Sequence, residues 1–182
     1  MVFAAKEVHH DKVLFYNGTP LAGVARHRWL GVLWPKCMDF TCFLMQRVQV
    51  ASVAVSQLAG FASSSALPWF LVCELFESKV DGILAFGRWL FILCPDAPAI
   101  LDECYNRWAN LFLGTDFWRN PGTCSSELGW TFSGFGRVVV SVAMRRAKLS
   151  CVLESDWHAS FFSLASEVDG SWAVKSSCLL AQ

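Results

Sequence analysis

The stretch VQVASVAVSQLAGFASSSALPWFLVC, Val48 to Cys73, decides how the chain is to be read, because none of its twenty-six residues is charged. That length crosses a bilayer when it is apolar throughout. Its texture is wrong for lipid: Gln49, Ser52, Ser56, Gln57, the run Ser63, Ser64 and Ser65, and Pro68 interrupt it. At 100° per residue Gln46, Gln49, Ser52, Ser56 and Gln57 fall within an arc of about 140°, with Leu44, Val48, Ala51, Val55 and Leu58 opposite. The reading is an amphipathic helix with an uncharged polar face, covered by solvent or a partner, and not a transmembrane span.

The rest of the composition agrees with a packed domain. Of 182 residues 54% are hydrophobic and only 16% charged, against roughly 25% charged in ordinary soluble domains. Disorder requires the opposite balance. Fifteen basic and fifteen acidic residues give a formal net charge of zero, which excludes a globally basic nucleic-acid binder. The start, Met1 to Lys6, reads as no secretory signal, so an intracellular setting is expected over a secreted one. The eight cysteines contain no Cys-x-x-Cys pair, and His9, His10, His27 and His158 stand at no ligand spacing to them. Neither a zinc site nor a disulfide framework is expected.

Working outward, residues 1–34 read as strand. Lys12 to Tyr16 is a β-prone run, Asn17-Gly18 is a hairpin signal, and a second β-prone run covers His27 to Leu33. Asp39 is placed to cap a helix over Phe40–Ala59, ended by Gly60. A second helix is expected from Pro68 to Leu93, with Glu74, Glu77 and Asp81 on its solvated stripe and a kink at Asp81-Gly82. Asp96 caps a third, to Leu113 with Gly114 as its stop. Thr115–Thr123 reads as loop, Ser125–Leu128 as a helical turn, Gly134–Glu154 as a long helix and Trp157–Glu167 as a weaker one; the residues after Asp169-Gly170 carry little pattern. The fold class expected is mainly α, a short N-terminal β-hairpin region followed by four or five helices. Three regions follow: 1–34, 35–154 and a short helix and tail over 155–182.

Charge is unevenly spread along this order. Residues 1–50 hold six basic and three acidic side chains, and residues 51–103 two basic and six acidic. Between Glu127 and Glu154 stand Arg137, Arg145, Arg146 and Lys148 with no acid. On a helix Arg137, Arg145 and Lys148 lie within about 80° of one another, the kind of stripe that phosphate-backbone contact uses. A solvated face opposite Val138, Val142 and Leu149 accounts for the same pattern. Catalytic constellations are poor. Asp102 and Glu103 diverge on a helix, Asp156 beside His158 is the one suggestive neighbour pair, and no nucleophile elbow or phosphate-cradling loop is present.

Four motifs in order carry a resemblance. Lys12-Val13-Leu14-Phe15-Tyr16-Asn17-Gly18-Thr19-Pro20-Leu21 followed by His27-Arg28-Trp29-Leu30-Gly31-Val32 resembles the stretch just after the catalytic centre of non-LTR (LINE-type) retrotransposon reverse transcriptases. Lys79 to Trp89, then Ile100 to Ala109 with Leu113-Gly114, then Ser126-Glu127-Leu128-Gly129-Trp130 look like successive pieces of that family's thumb. The resemblance implies the end of a palm, a primer grip at Trp29, Leu30 and Gly31, and a thumb-like helical bundle. Trp29 stands where the family usually has tyrosine. By the same resemblance Lys6 would occupy the position of a lysine that acts as general acid, while the family's Mg2+-binding carboxylates have no counterpart here. The expected function is therefore contact with an RNA/DNA hybrid through Arg137, Arg145, Arg146 and Lys148, with Arg119 and Lys36, and no catalysis by this chain alone. The missing palm and fingers, or another protein, would cover its apolar surface. Two other readings stand beside this one: a small helical interaction or scaffold protein whose partner meets the face from Gln46 to Gln57, and a decayed retroelement fragment without function.

Overall fold

The structure is a computed structural model, and it describes residues 15–20, 26–35, 39–65, 67–114, 121–130, 132–152, 165–167 and 171–181. Lys6, Lys36, Arg119, Asp156, His158 and most of the expected helix Trp157–Glu167 lie outside the described residues, as does the side chain of Trp29.

Two hairpins precede the helices. Strands β1 (Phe15–Tyr16) and β2 (Thr19–Pro20) pair antiparallel across Asn17-Gly18, whose φ values of 48° and 76° are those of the Asn-Gly hairpin turn the sequence signals. The run expected as one strand over His27–Leu33 is instead a second hairpin. β3 (Arg26–Trp29) pairs with β4 (Val32–Pro35) across Leu30 and Gly31, at φ 47° and 80°. Leu30, with its side chain 73% exposed, occupies a left-handed position that a branched residue seldom takes, which is why the turn is invisible to a propensity reading.

Helix α1 (Thr41–Ser65) is longer than expected. The Asp39 carboxylate accepts from the Thr41 amide and hydroxyl at 2.9 and 2.5 Å, as the cap reading requires. Gly60 does not stop the helix: it lies exposed with open space around it, and a helix-interior glycine costs only about 1 kcal/mol. The face assignment holds, with Leu44, Val48, Ala51 and Val55 buried and Gln46, Gln49, Ser56 and Gln57 exposed.

The expected helix from Pro68 to Leu93 is made in pieces. α2 (Trp69–Leu75) runs into a π-helical segment, Phe76–Asp81, and on into α3 (Gly82–Ala85), after which Phe86-Gly87 turns the chain into a 3-10 segment, Arg88–Leu93. α4 (Ala97–Leu113) stops at Gly114 as expected. α5 covers Pro121–Glu127, part of it in the expected loop, and α6 covers Gly134–Val152. The C-terminal residues form α7 (Trp172–Leu180), because the Ser171 hydroxyl accepts from the Val174 amide at 3.2 Å and caps a helix with weak periodicity. The protein is thus mainly helical, short strands first, as expected.

One hydrophobic cluster joins these parts. Phe43, Leu44 and Val55 of α1, Phe76 and Val80 of the π segment, Leu90 and Phe91, Leu101 and Tyr105 of α4, and Val138 and Val142 of α6 are all buried. Val32 and Trp34 of β4 and Trp172 and Leu179 of α7 pack on its margin. Among the described residues no helix is long and apolar enough to cross a membrane.

Candidate nucleic-acid interface

The α6 cations do not form the continuous stripe that their spacing suggests. Arg137 turns inward: its side chain is 11% exposed, its Nη1 lies 3.3 Å from Asp81 Oδ2, and its guanidinium covers the Tyr105 ring at 5.5 Å. The reason is position along the axis. Arg137 sits in the first turn, where α6 crosses α4 so closely that a side chain at Gly134 would meet the Leu101 carbonyl oxygen at 2.6 Å. Arg146 lies on the side facing α7, where its Nη1 donates to the Ser176 and Ser177 hydroxyls at 3.1 and 2.6 Å. Arg145 and Lys148 are exposed. The Arg145 guanidinium rides 5.0 Å above the Trp89 ring, a cation–π contact.

A second basic group sits at the hairpin end. Leu30 and Gly31 form the tip of β3–β4, and Gly31 lies against Phe86, whose ring a side chain there would meet at 3.4 Å. Arg47 of α1 covers that ring at 4.4 Å and Phe43 at 5.3 Å. Arg26 and Arg28 alternate along β3, share a face of the hairpin and are exposed. Partial burial, then the nearby positive charge of Arg28, pulls Arg47 below the ordinary arginine value. Sequence reasoning counted these three arginines in a basic block and did not single them out. The signal that could have found them is the i, i+2 spacing of Arg26 and Arg28, which puts both on one side of a strand. The segment from Phe86 to Trp89 therefore carries a stacked arginine on each of its two aromatic rings, from α1 and from α6.

The acids are engaged elsewhere. Asp81, expected on a solvated stripe with Glu74 and Glu77, is 15% exposed. It receives Arg88 Nη2 at 2.6 Å, Arg137, and the Tyr105 hydroxyl at 2.5 Å, and Arg88 also donates to its backbone carbonyl at 2.9 Å. Burial pulls its carboxyl upward, yet Arg88, the Tyr105 hydroxyl and Arg137 together hold it below the ordinary carboxylate range. Burial, then the adjoining Asp81, pushes the Tyr105 hydroxyl far up. Asp102 accepts the Phe135 amide at 2.8 Å and so caps the start of α6, while Glu103 pairs with Arg107. These commitments do not fit the Mg2+-binding carboxylates of a polymerase, and among the described residues no cluster of histidine, cysteine and acid could hold a metal ion.

Cysteine chemistry is equally quiet. Burial pushes the Cys94 thiol up to about 12 and raises Cys73 and Cys104, the opposite of an activated nucleophile. An open groove of about 680 Å³ runs between α1 and the α2–α3 run, lined by Leu58, Phe61, Leu75 and Ile83 with Lys79 at its edge. Gln57 and Ser78 are the other polar residues of its wall. Comparison with family models, curated proteins and solved structures found no match for this chain.

Proposed function

We propose that this protein binds the phosphate backbone of an RNA/DNA hybrid, as its resemblance to the primer-grip and thumb region of non-LTR reverse transcriptases implies, and leaves polymerisation to residues it does not carry. The observation that carries the reading is the pairing of two arginines, the half-buried Arg47 and the exposed Arg145, with aromatic rings. Arg47 stacks on Phe86 and Arg145 on Trp89, and Arg26, Arg28 and Lys148 add exposed positive charge. None of these five has an acidic partner within 4.0 Å among the described residues. Of the cations expected from sequence, Arg145 and Lys148 keep a backbone-binding role; Arg137 supports the core and Arg146 anchors α7. The contacts are sequence-independent by nature, because phosphates carry no base information.

The test is the salt dependence of hybrid binding, followed by fluorescence anisotropy. Removing two phosphate contacts with Arg145→Ala/Lys148→Ala lowers the slope of log affinity against log salt by about 2, and Arg137→Met, which reaches no phosphate, leaves that slope unchanged. Equal, equally salt-insensitive binding by the wild type and the double variant would remove the reading.

A further inference from the structure

Within the four residues from Phe86 to Trp89 the rings and the anchors alternate. Phe86 is exposed and Trp89 half-buried, and each carries an arginine on its ring, Arg47 from α1 and Arg145 from α6. Gly87, at φ 75°, lies so close to α1 that a side chain there would stand 2.9 Å from the Phe43 ring. Glycine alone combines that turn with that approach. Arg88 points into the molecule with its side chain 11% exposed. Its Nη2 meets the Asp81 carboxylate at 2.6 Å and the Asp81 carbonyl oxygen at 2.9 Å.

We infer that Arg88 is a positioning residue for the two stacked cations. It reaches no phosphate itself; by tying the Phe86–Trp89 segment to Asp81 it sets both rings, and through them Arg47 and Arg145. This role rests on the phosphate-backbone reading and adds a residue to it. The local backbone does not fix the rings, because Phe86 is extended and Gly87 left-handed between α3 and the 3-10 segment, so their directions depend on tertiary anchors. Arg88 is the charged anchor that lies between them. One guanidinium nitrogen bonded to both a side-chain and a backbone oxygen of the same residue fixes direction as well as distance. The anchor point is itself held, since Asp81 also receives Arg137 of α6 and the Tyr105 hydroxyl of α4. The segment is thereby tied to the same helix that carries Arg145. A guanidinium resting on a ring gives up less rotamer freedom on meeting a phosphate than one free in solvent, and that gain lasts only while the ring stays in place.

Two measurements on the full chain test the role. In nuclear magnetic resonance spectra the ring currents of Phe86 and Trp89 shift the side-chain protons of Arg47 and Arg145 upfield. Arg88→Met keeps the aliphatic length and leaves Asp81 paired with Arg137 and Tyr105. It is expected to move both sets of protons toward the values of exposed arginines while the helical circular dichroism stays unchanged. In fluorescence anisotropy Arg88→Met is expected to bind an RNA/DNA hybrid about tenfold more weakly. In an Arg47→Ala/Arg145→Ala background the same substitution should change affinity by less than about twofold, because no stacked cation is left to position. Arginine protons that keep their wild-type shifts in Arg88→Met, an unchanged affinity, or an equal loss in the two backgrounds would each overturn the role of Arg88 and leave the binding reading standing. A wild type that binds no hybrid would remove the binding reading and this role together.

Discussion

At the scale of single residues the largest electrostatic stake lies in Asp81. Two guanidiniums, both 11% exposed, and a tyrosine hydroxyl converge on its carboxylate. Removing the acid leaves Arg88 and Arg137 facing each other with no counter-charge, which costs about 3 kcal/mol in settings of this kind. Asp81→Asn is therefore expected to lower the unfolding free energy by about that amount at neutral pH. The folded carboxyl titrates below the unfolded one, so its contribution is complete above the unfolded value of about 3.9 and is lost as pH falls through the folded value. Urea unfolding of wild type and variant over an acid pH series should show the difference shrinking below about pH 4. A difference that stays constant into strong acid would mean that the ion pairs contribute nothing. Asp81 reads in the sequence as one of three acids at helical spacing. Nothing there distinguishes it from Glu74 and Glu77, because its partners come from residues 7, 24 and 56 positions downstream in other elements.

Elements were legible wherever their signal is local. The Asn17-Gly18 turn, the Asp39 cap, the two faces of α1 and the stop at Gly114 each follow from residues within a few positions of one another, and the structure places all of them as read. What escaped depended on distant packing or on unfavourable local chemistry: a Leu-Gly turn, a π segment, and an α7 held by the Trp172 indole donating to the Trp89 carbonyl at 2.8 Å. The site divided in the same way. Arg145 and Lys148 stand where the helical wheel puts them, whereas Arg137 answers to the α4 crossing. That crossing rests on Gly134, where a methyl group would lie 2.6 Å from the Leu101 carbonyl oxygen and 2.7 Å from the Tyr105 ring. Gly134→Ala is expected to push the start of α6 off α4, strain the Asp102 cap and cost about 1–3 kcal/mol. Gly82→Ala, in a helical stretch with open space, should instead gain about 0.5–1 kcal/mol. Thermal unfolding of the pair checks both signs, and hydrogen exchange at the first turn of α6 should rise in Gly134→Ala alone.

The whole molecule is organised around one aromatic side chain. Phe76, in the π segment, stacks on Trp130 at 4.5 Å and meets Tyr105, Trp108 and Phe112 edge-on at 5.7 to 6.2 Å. It thereby ties the α2–α3 run to α4 and to the chain entering α6. Much of the 54% hydrophobic content is thus spent on a core that joins every long helix. A core of this kind unfolds as a unit, so a loss at its centre is felt by every element at once. Phe76→Ala removes about 3–5 kcal/mol from a total that for a domain this size is about 5–15 kcal/mol. The variant is expected to lose near-ultraviolet circular dichroism from its tryptophans and to unfold at much lower urea, with α1, α4 and α6 exchanging amide hydrogens together. Phe76→Leu, which keeps most of the volume and loses the ring geometry, should cost less than half as much. If hydrogen exchange in Phe76→Ala rose in α2 alone while α1 and α6 kept their protection, the helices would be separate units, and the basic groups on α1 and α6 would no longer share a rigid frame.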